Sequence, residues 1–170
     1  PARSPIPVSA TRNSWSWNTS LSEHQIAFTG TSDLGGFLYL ISEDGSGLQQ
    51  ITPDGTSTQV YYPSWYPDGV NVAVVDYGDS GSDGVLRRID TQANTQVQLT
   101  DGSRLFAGEP AVSRDGTKIA FPGQLNCFDL PYNQATNSIW ILNPATLVPH
   151  VFDPYQGRTP DWSPDDANLS

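Results

Sequence analysis

Few residues in this chain have the chemistry of a catalyst, and their spacing limits what they can do. Gly78-Asp79-Ser80-Gly81 is the kind of string that can surround a nucleophilic serine. Such a serine needs a histidine base within hydrogen-bond reach. The chain holds two histidines, His24 and His150, which fall in different repeats of the pattern set out below. The string therefore reads as chance. Asp76, Asp79 and Asp83, interleaved with glycine and serine, are the oxygen-rich kind of loop that Ca²⁺ accepts, although their spacing is not that of an EF-hand. A weak Ca²⁺ site is the one metal expectation. Haem, dinucleotide and nucleoside triphosphate sites lack any matching motif, so no cofactor is expected. Cys127 stands alone, which excludes an internal disulfide. No catalytic residue is expected, and the chain reads as a non-enzyme.

Aromatic residues are the other informative class. Tyr61, Tyr62, Phe106, Phe128, Tyr132 and Tyr155 lie between the apolar runs, at positions that backbone geometry does not require. Aromatics at loop tips are the usual energetic anchors of an interface, so these six are the candidate partner-binding residues. Trp17, Trp65 and Trp162 instead recur at one register and are expected in the core.

The elements that must hold these residues repeat. Ile26-Ala27-Phe28, Val72-Ala73-Val74 and Ile119-Ala120-Phe121 recur at spacings of 46 and 47 residues. Ahead of the second and third stand Ser64-Trp65-Tyr66-Pro67-Asp68-Gly69 and Val112-Ser113-Arg114-Asp115-Gly116. A further copy opens at Trp162-Ser163-Pro164-Asp165-Asp166, and a looser one lies around Trp17. Each short strand is followed by a second (37–41, 85–89, 138–142), a polar turn, and a strand ending at Ile51-Thr52, Leu99-Thr100 or Phe152-Asp153. The unit has four strands, A to D, within a period typical of propeller blades. Pro-Asp-Gly suits the A–B turn: Pro sets φ, Asp bonds back to the backbone, and Gly takes positive φ. With 15 Gly and 14 Pro scattered along the chain, an all-β β-propeller fold of about three and a half blades is predicted.

The expected organisation is 1–13 as a linker or the last strand of a preceding blade, then blades over 14–61, 62–108 and 109–158, and the start of a fourth over 159–170. Three blades and an opening strand do not close a ring. The chain is thus expected to be a fragment, with further blades from the same or another chain. The B–C and D–A connections (29–36, 54–63, 78–84, 101–110, 122–137 and 154–160) are long and varied, whereas the A–B and C–D turns are short. Binding is expected on the first rim.

The motif Trp-Ser-Pro-Asp-Gly, then Ile-Ala-Phe, a strand, an Asp-Gly turn and Leu-Thr, resembles the PD40 (WD40-like) repeat of TolB-like propellers over about residues 14 to 166. Asn18, Arg114 and Asp166 depart from the pattern within the turn. The resemblance implies a protein-interaction module in the periplasm or outside the cell. PD40-like repeats also occur in the propeller of prolyl-oligopeptidase-like hydrolases, whose catalytic domain would lie outside this chain. A third possibility is a sugar-processing propeller of the oligogalacturonate-lyase sort, which would need clustered histidines that the isolated His24 and His150 do not provide. The net charge of −10, from 18 acidic against 8 basic residues, repels phosphate backbones and anionic lipid. Neither nucleic acid nor membrane insertion is expected.

Overall fold

The computed structural model describes residues 16–18, 24–32, 35–52, 59–78, 84–102, 105–125, 138–153 and 157–170. Among them the regular structure is β throughout, arranged in three antiparallel sheets. The first holds β1 (Ser16–Asn18), β2 (Gln25–Ser32), β3 (Gly35–Ser42) and β4 (Gln49–Gln50) in chain order. The second holds β5 (Val60–Trp65), β6 (Asn71–Asp76), β7 (Val85–Asp90) and β8 (Thr95–Gln98). The third holds β10 (Ala111–Val112), β11 (Ile119–Leu125), β12 (Ser138–Asn143) and β13 (Val148–Asp153), with β9 (Leu105–Ala107) also paired to β11. A bridge between Trp162 and Leu169 opens a further hairpin. No helix of the described residues is long and apolar enough to cross a membrane.

The second sheet shows why these runs stack as blades. Val72, Val74 and Ile89 face one way, into a core shared with Ala27, Leu38, Leu40 and Ile51 of the first sheet. Ala73, Val75 and Leu86 face the other way, into a core shared with Ala107, Ile119, Phe121 and Leu142 of the third. Side chains alternate across a strand, so a run that is apolar at every position must be covered on both faces. Trp65 is 6% exposed and fills the seam between the first two sheets. Trp162, expected to be buried likewise, is half-buried. Its Nε1 donates to the Ala111 carbonyl at 2.9 Å, and the Lys118 ammonium sits 5.4 Å from its ring centroid.

A polar clamp repeats in the first two sheets. The Thr52 hydroxyl accepts from the Leu38 amide, and the Thr100 hydroxyl from the Leu86 amide, each at 2.9 Å. Gln50 and Gln98 then donate to the carbonyls of Thr52 and Thr100 at 2.7 and 2.9 Å. Thus Gln-Ile-Thr and Gln-Leu-Thr close strand D onto strand C where ladder pairing stops.

The turns explain one departure from the repeat. Gly69 and Gly116 take positive φ (69° and 70°), and Asp166 holds the same position at φ 55°. A non-glycine residue there is costly, but aspartate tolerates it better than most. Its carboxylate accepts from the Arg114 and Asp115 amides at 3.0 and 3.1 Å, which ties two A–B turns together. Asp115 itself accepts from the Ser113 hydroxyl and from Thr117, and these bonds hold its carboxyl down at about 2.

Several expected limits move. β5 begins at Val60, so the boundary between 61 and 62 cuts a strand. β9, expected to end the second blade, pairs with the third sheet. Prolines hide this continuity. Tyr62-Pro63 and Gly108-Glu109-Pro110 interrupt the innermost strand of their sheets, and pairing resumes beyond them at Ser64 and Ala111. The connection expected over 29–36 is largely strand, with Ser32 paired to Gly35. Residues 122–125, expected as loop, continue β11 and pair with β12 on one side and β9 on the other. Two flanking partners override the poor strand propensity of Pro122 and Gly123.

Two variants test this packing. Trp65→Ala should cost about 3–5 kcal/mol in urea unfolding, as large core truncations do. Thr100→Val keeps the shape but leaves the buried Leu86 amide unpaired, so a loss of about 1–3 kcal/mol is expected. Thr100→Ser, which restores an acceptor, should recover most of it.

Candidate functional site

The innermost strands position the site. In the second sheet Tyr62 sits at the bulge between Tyr61 and Ser64 with φ 57°, a conformation uncommon for a bulky residue. Counting back from Trp65, Val112 and Trp162, the equivalent residues are Tyr62, Glu109 and Thr159, each followed by a buried proline. Proline lacks an amide donor and restricts the residue before it, so the strand opens at this point. All three residues line one cleft of about 370 Å³, together with Tyr77, Phe106, Gln124 and Arg158. The cleft lies where the connection from β6 to β7 meets the segments that lead into the innermost strands, the rim on which binding is expected.

Tyr62 and Phe106 are therefore brought together. Phe106 is held by its pairing with Gln124. Tyr61 is adjacent rather than lining: its ring meets those of Tyr62 and Tyr77 at centroid distances of 6.1 and 5.8 Å and lies over Gly36. Phe128, Tyr132 and Tyr155 lie outside the described residues. Sequence reasoning missed Tyr77, Glu109, Gln124 and Arg158. The X-Pro pair three residues before the Trp register was the available signal for Glu109 and Thr159.

Glu109 is half-buried, and burial pushes its carboxyl above the usual range. Burial also raises the Tyr77 phenol, as do the neighbouring Tyr62, Tyr61 and Glu109. Across the cleft Gly84 permits a close approach. Its carbonyl accepts from the Ala107 amide at 2.8 Å, and a Cβ at Gly84 would clash with the Ala107 carbonyl oxygen. The seam between the second and third sheets closes here because no side chain intervenes.

The other sequence candidates lie elsewhere. Asp76 is a buried structural anion: Arg87 Nε donates to one carboxylate oxygen at 2.7 Å and the Gly78 amide to the other at 2.9 Å. Its oxygens are committed within the chain rather than presented to Ca²⁺, and Asp79 and Asp83 lie outside the described residues. Among the described residues no group of three metal-ligating side chains comes together. His24 is exposed and pairs with Glu43 at 2.9 Å, while His150 is exposed on β13. Ser80, in the Gly-Asp-Ser-Gly string, lies outside the described residues.

No protein-family model and no curated protein sequence matches the chain. Solved structures do. TolB from Acinetobacter baumannii superposes with a TM-score of 0.70 at 18% identity, covering 94% of this chain and 37% of that one. The fold is that of a TolB-like β-propeller. An oligogalacturonate lyase from Vibrio parahaemolyticus gives a TM-score of 0.60 at 18% identity, over 87% of this chain and 42% of that one. A prolyl endopeptidase gives 0.60 at 15% identity, over 85% of this chain and 24% of that one. The TolB-like chain thus spans less than half the length of each of these structures. A TolB, a lyase and an endopeptidase all share these blades, so fold alone assigns no activity.

The seam at the cleft is testable. Gly84→Ala forces its methyl against the Ala107 carbonyl, and thermal unfolding should report a loss of about 1–3 kcal/mol, the range for overpacking. Gly45→Ala, at an open turn with positive φ, provides a comparison in which backbone strain acts without a clash.

Proposed function

We propose that this chain belongs to a non-enzymatic protein-interaction module, a TolB-like propeller acting in the cell envelope or outside the cell. It binds its partner through the rim that carries the B–C and D–A connections. The observation that supports this is the cleft on that rim. Tyr62, Tyr77 and Phe106 share it with Glu109 and Arg158, a mixture of apolar rings and charge typical of recognition surfaces. The opposite rim consists of short turns whose Asp, Asn and Gly residues are accounted for by backbone bonds, such as those of Asp68 to Val70 and Asn71 and of Asp90 to Gln92 and Ala93. Tyr61, Phe128, Tyr132 and Tyr155 are further partner-binding residues in this reading. An excess of acidic residues favours a protein partner over nucleic acid.

A second reading has one specific support, the likeness to a prolyl endopeptidase. In that case the chain is part of the propeller of a hydrolase whose catalytic domain lies outside this sequence. A GxSxG-bearing α/β segment in the parent reading frame would decide for it.

The interaction reading is tested by alanine substitution against a bound partner. Phe128→Ala, Tyr132→Ala and Phe106→Ala should each weaken binding by about 1–3 kcal/mol, with little change in stability. Asp44→Ala on the opposite rim should leave affinity unchanged. Calorimetry showing sensitivity at Asp44 and indifference at the three aromatics would place binding on the other face.

A further inference from the structure

Glu109 differs from the other buried acid nearby. Asp76 is neutralised by Arg87, whereas Glu109 makes no ion pair or hydrogen bond with another described residue. Arg158 lines the same cleft, but its side chain is exposed and does not form an ion pair with Glu109. The carboxylate is half-withdrawn from water without a partner, an arrangement that costs free energy until a cation arrives. The same cleft is lined by three aromatic residues, Tyr62, Tyr77 and Phe106.

We propose that this cleft receives a basic side chain, foremost an arginine guanidinium, from a peptide segment of the partner protein, with Glu109 as its counter-charge and Tyr62, Tyr77 and Phe106 as its aromatic wall. The proposal rests on the reading of this rim as the partner-binding surface. Aromatic faces attract cations, most strongly where both are desolvated. A planar guanidinium also stacks on rings and offers paired donors to one carboxylate, which an ammonium does less well. The cleft, at about 370 Å³, lies at the small end of ligand sites and suits one long side chain with its flanking backbone. A bare divalent cation fits poorly, because one carboxylate among aromatic rings falls short of the six or so oxygens such ions need. The net charge of −10 draws basic segments toward the chain before contact.

The test uses acetyl-Gly-Arg-Gly-amide and its citrulline counterpart, which has nearly the same shape without the charge. Each is titrated into the unmodified chain and followed by amide NMR shifts. The arginine peptide should give saturable shifts at Gly84, Gly108 and Gly123, with the citrulline peptide at least about tenfold weaker, the equivalent of one cation–π and charge contact. Glu109→Gln should remove that preference while thermal stability is kept. Arginine-peptide binding should also weaken as pH falls through the raised pKa of Glu109. The charged and titratable groups facing Glu109 are Tyr62, Tyr77 and Arg158. No saturable shift, or equal affinity for the two peptides, overturns the proposal without appeal to any variant. If that happens while Phe128→Ala and Tyr132→Ala still weaken partner binding, the rim reading stands and cation recognition alone falls.

Discussion

The structure depends on one constraint: each sheet is apolar on both faces and cannot be left uncovered on either. In the second sheet this is complete. Val72 and Val74 are buried against the first sheet, and Ala73 and Val75 against the third. Burial of this kind is non-directional and scales with area, so it drives the sheets together without fixing how they meet. Polar groups act at two levels. Thr52 and Thr100 close the outer strand onto its neighbour within their own sheets, while the Ser64 hydroxyl accepts from the Val112 amide of the next sheet and Asp166 bonds to two amides of the adjacent turn. The apolar seams supply the free energy, and the bonds between repeats help fix how they meet.

The cleft is a consequence of the same repeat. The prolines at 63 and 110 each interrupt the innermost strand of their sheet, Pro160 stands at the same register ahead of the Trp162–Leu169 bridge, and the residue before each lines the cleft. A device that repeats in the backbone therefore gathers three unlike side chains, Tyr62, Glu109 and Thr159, onto one surface. Repetition builds the platform, while the unrepeated side-chain identities give it chemistry. The close contact between Gly84 and Ala107 keeps that platform tight, because it joins the second and third sheets directly beside the cleft.

Likeness to a TolB, a lyase and a peptidase at 15–18% identity places the chain among propellers that share blades and differ in what they carry. Cores tolerate hydrophobic substitution when volume and patterning are kept, so the fold persists at low identity. The proposed recognition role therefore rests on the aromatic and charged side chains that line the cleft with Glu109 rather than on the shared fold.

The sequence by itself determined the fold class and the repeat. A 46- to 47-residue period, strands apolar on both faces and Pro-Asp-Gly turns are local signals, and local physics suffices to read them. Two residues singled out from the sequence, Tyr62 and Phe106, line the cleft. Strand limits were less legible, because proline and glycine at 62–63, 108–110 and 122–123 look like loop until two partners pair around them. Glu109 shares the X-Pro register with Tyr62, whereas the gathering of Tyr77 and Arg158 with them was decided by tertiary structure alone. These two come from the end of β6 and from a later repeat, at positions the X-Pro register does not mark. Likewise Asp76 reads in sequence as one of three candidate Ca²⁺ ligands, and tertiary structure buries it beside Arg87 across the β6–β7 ladder.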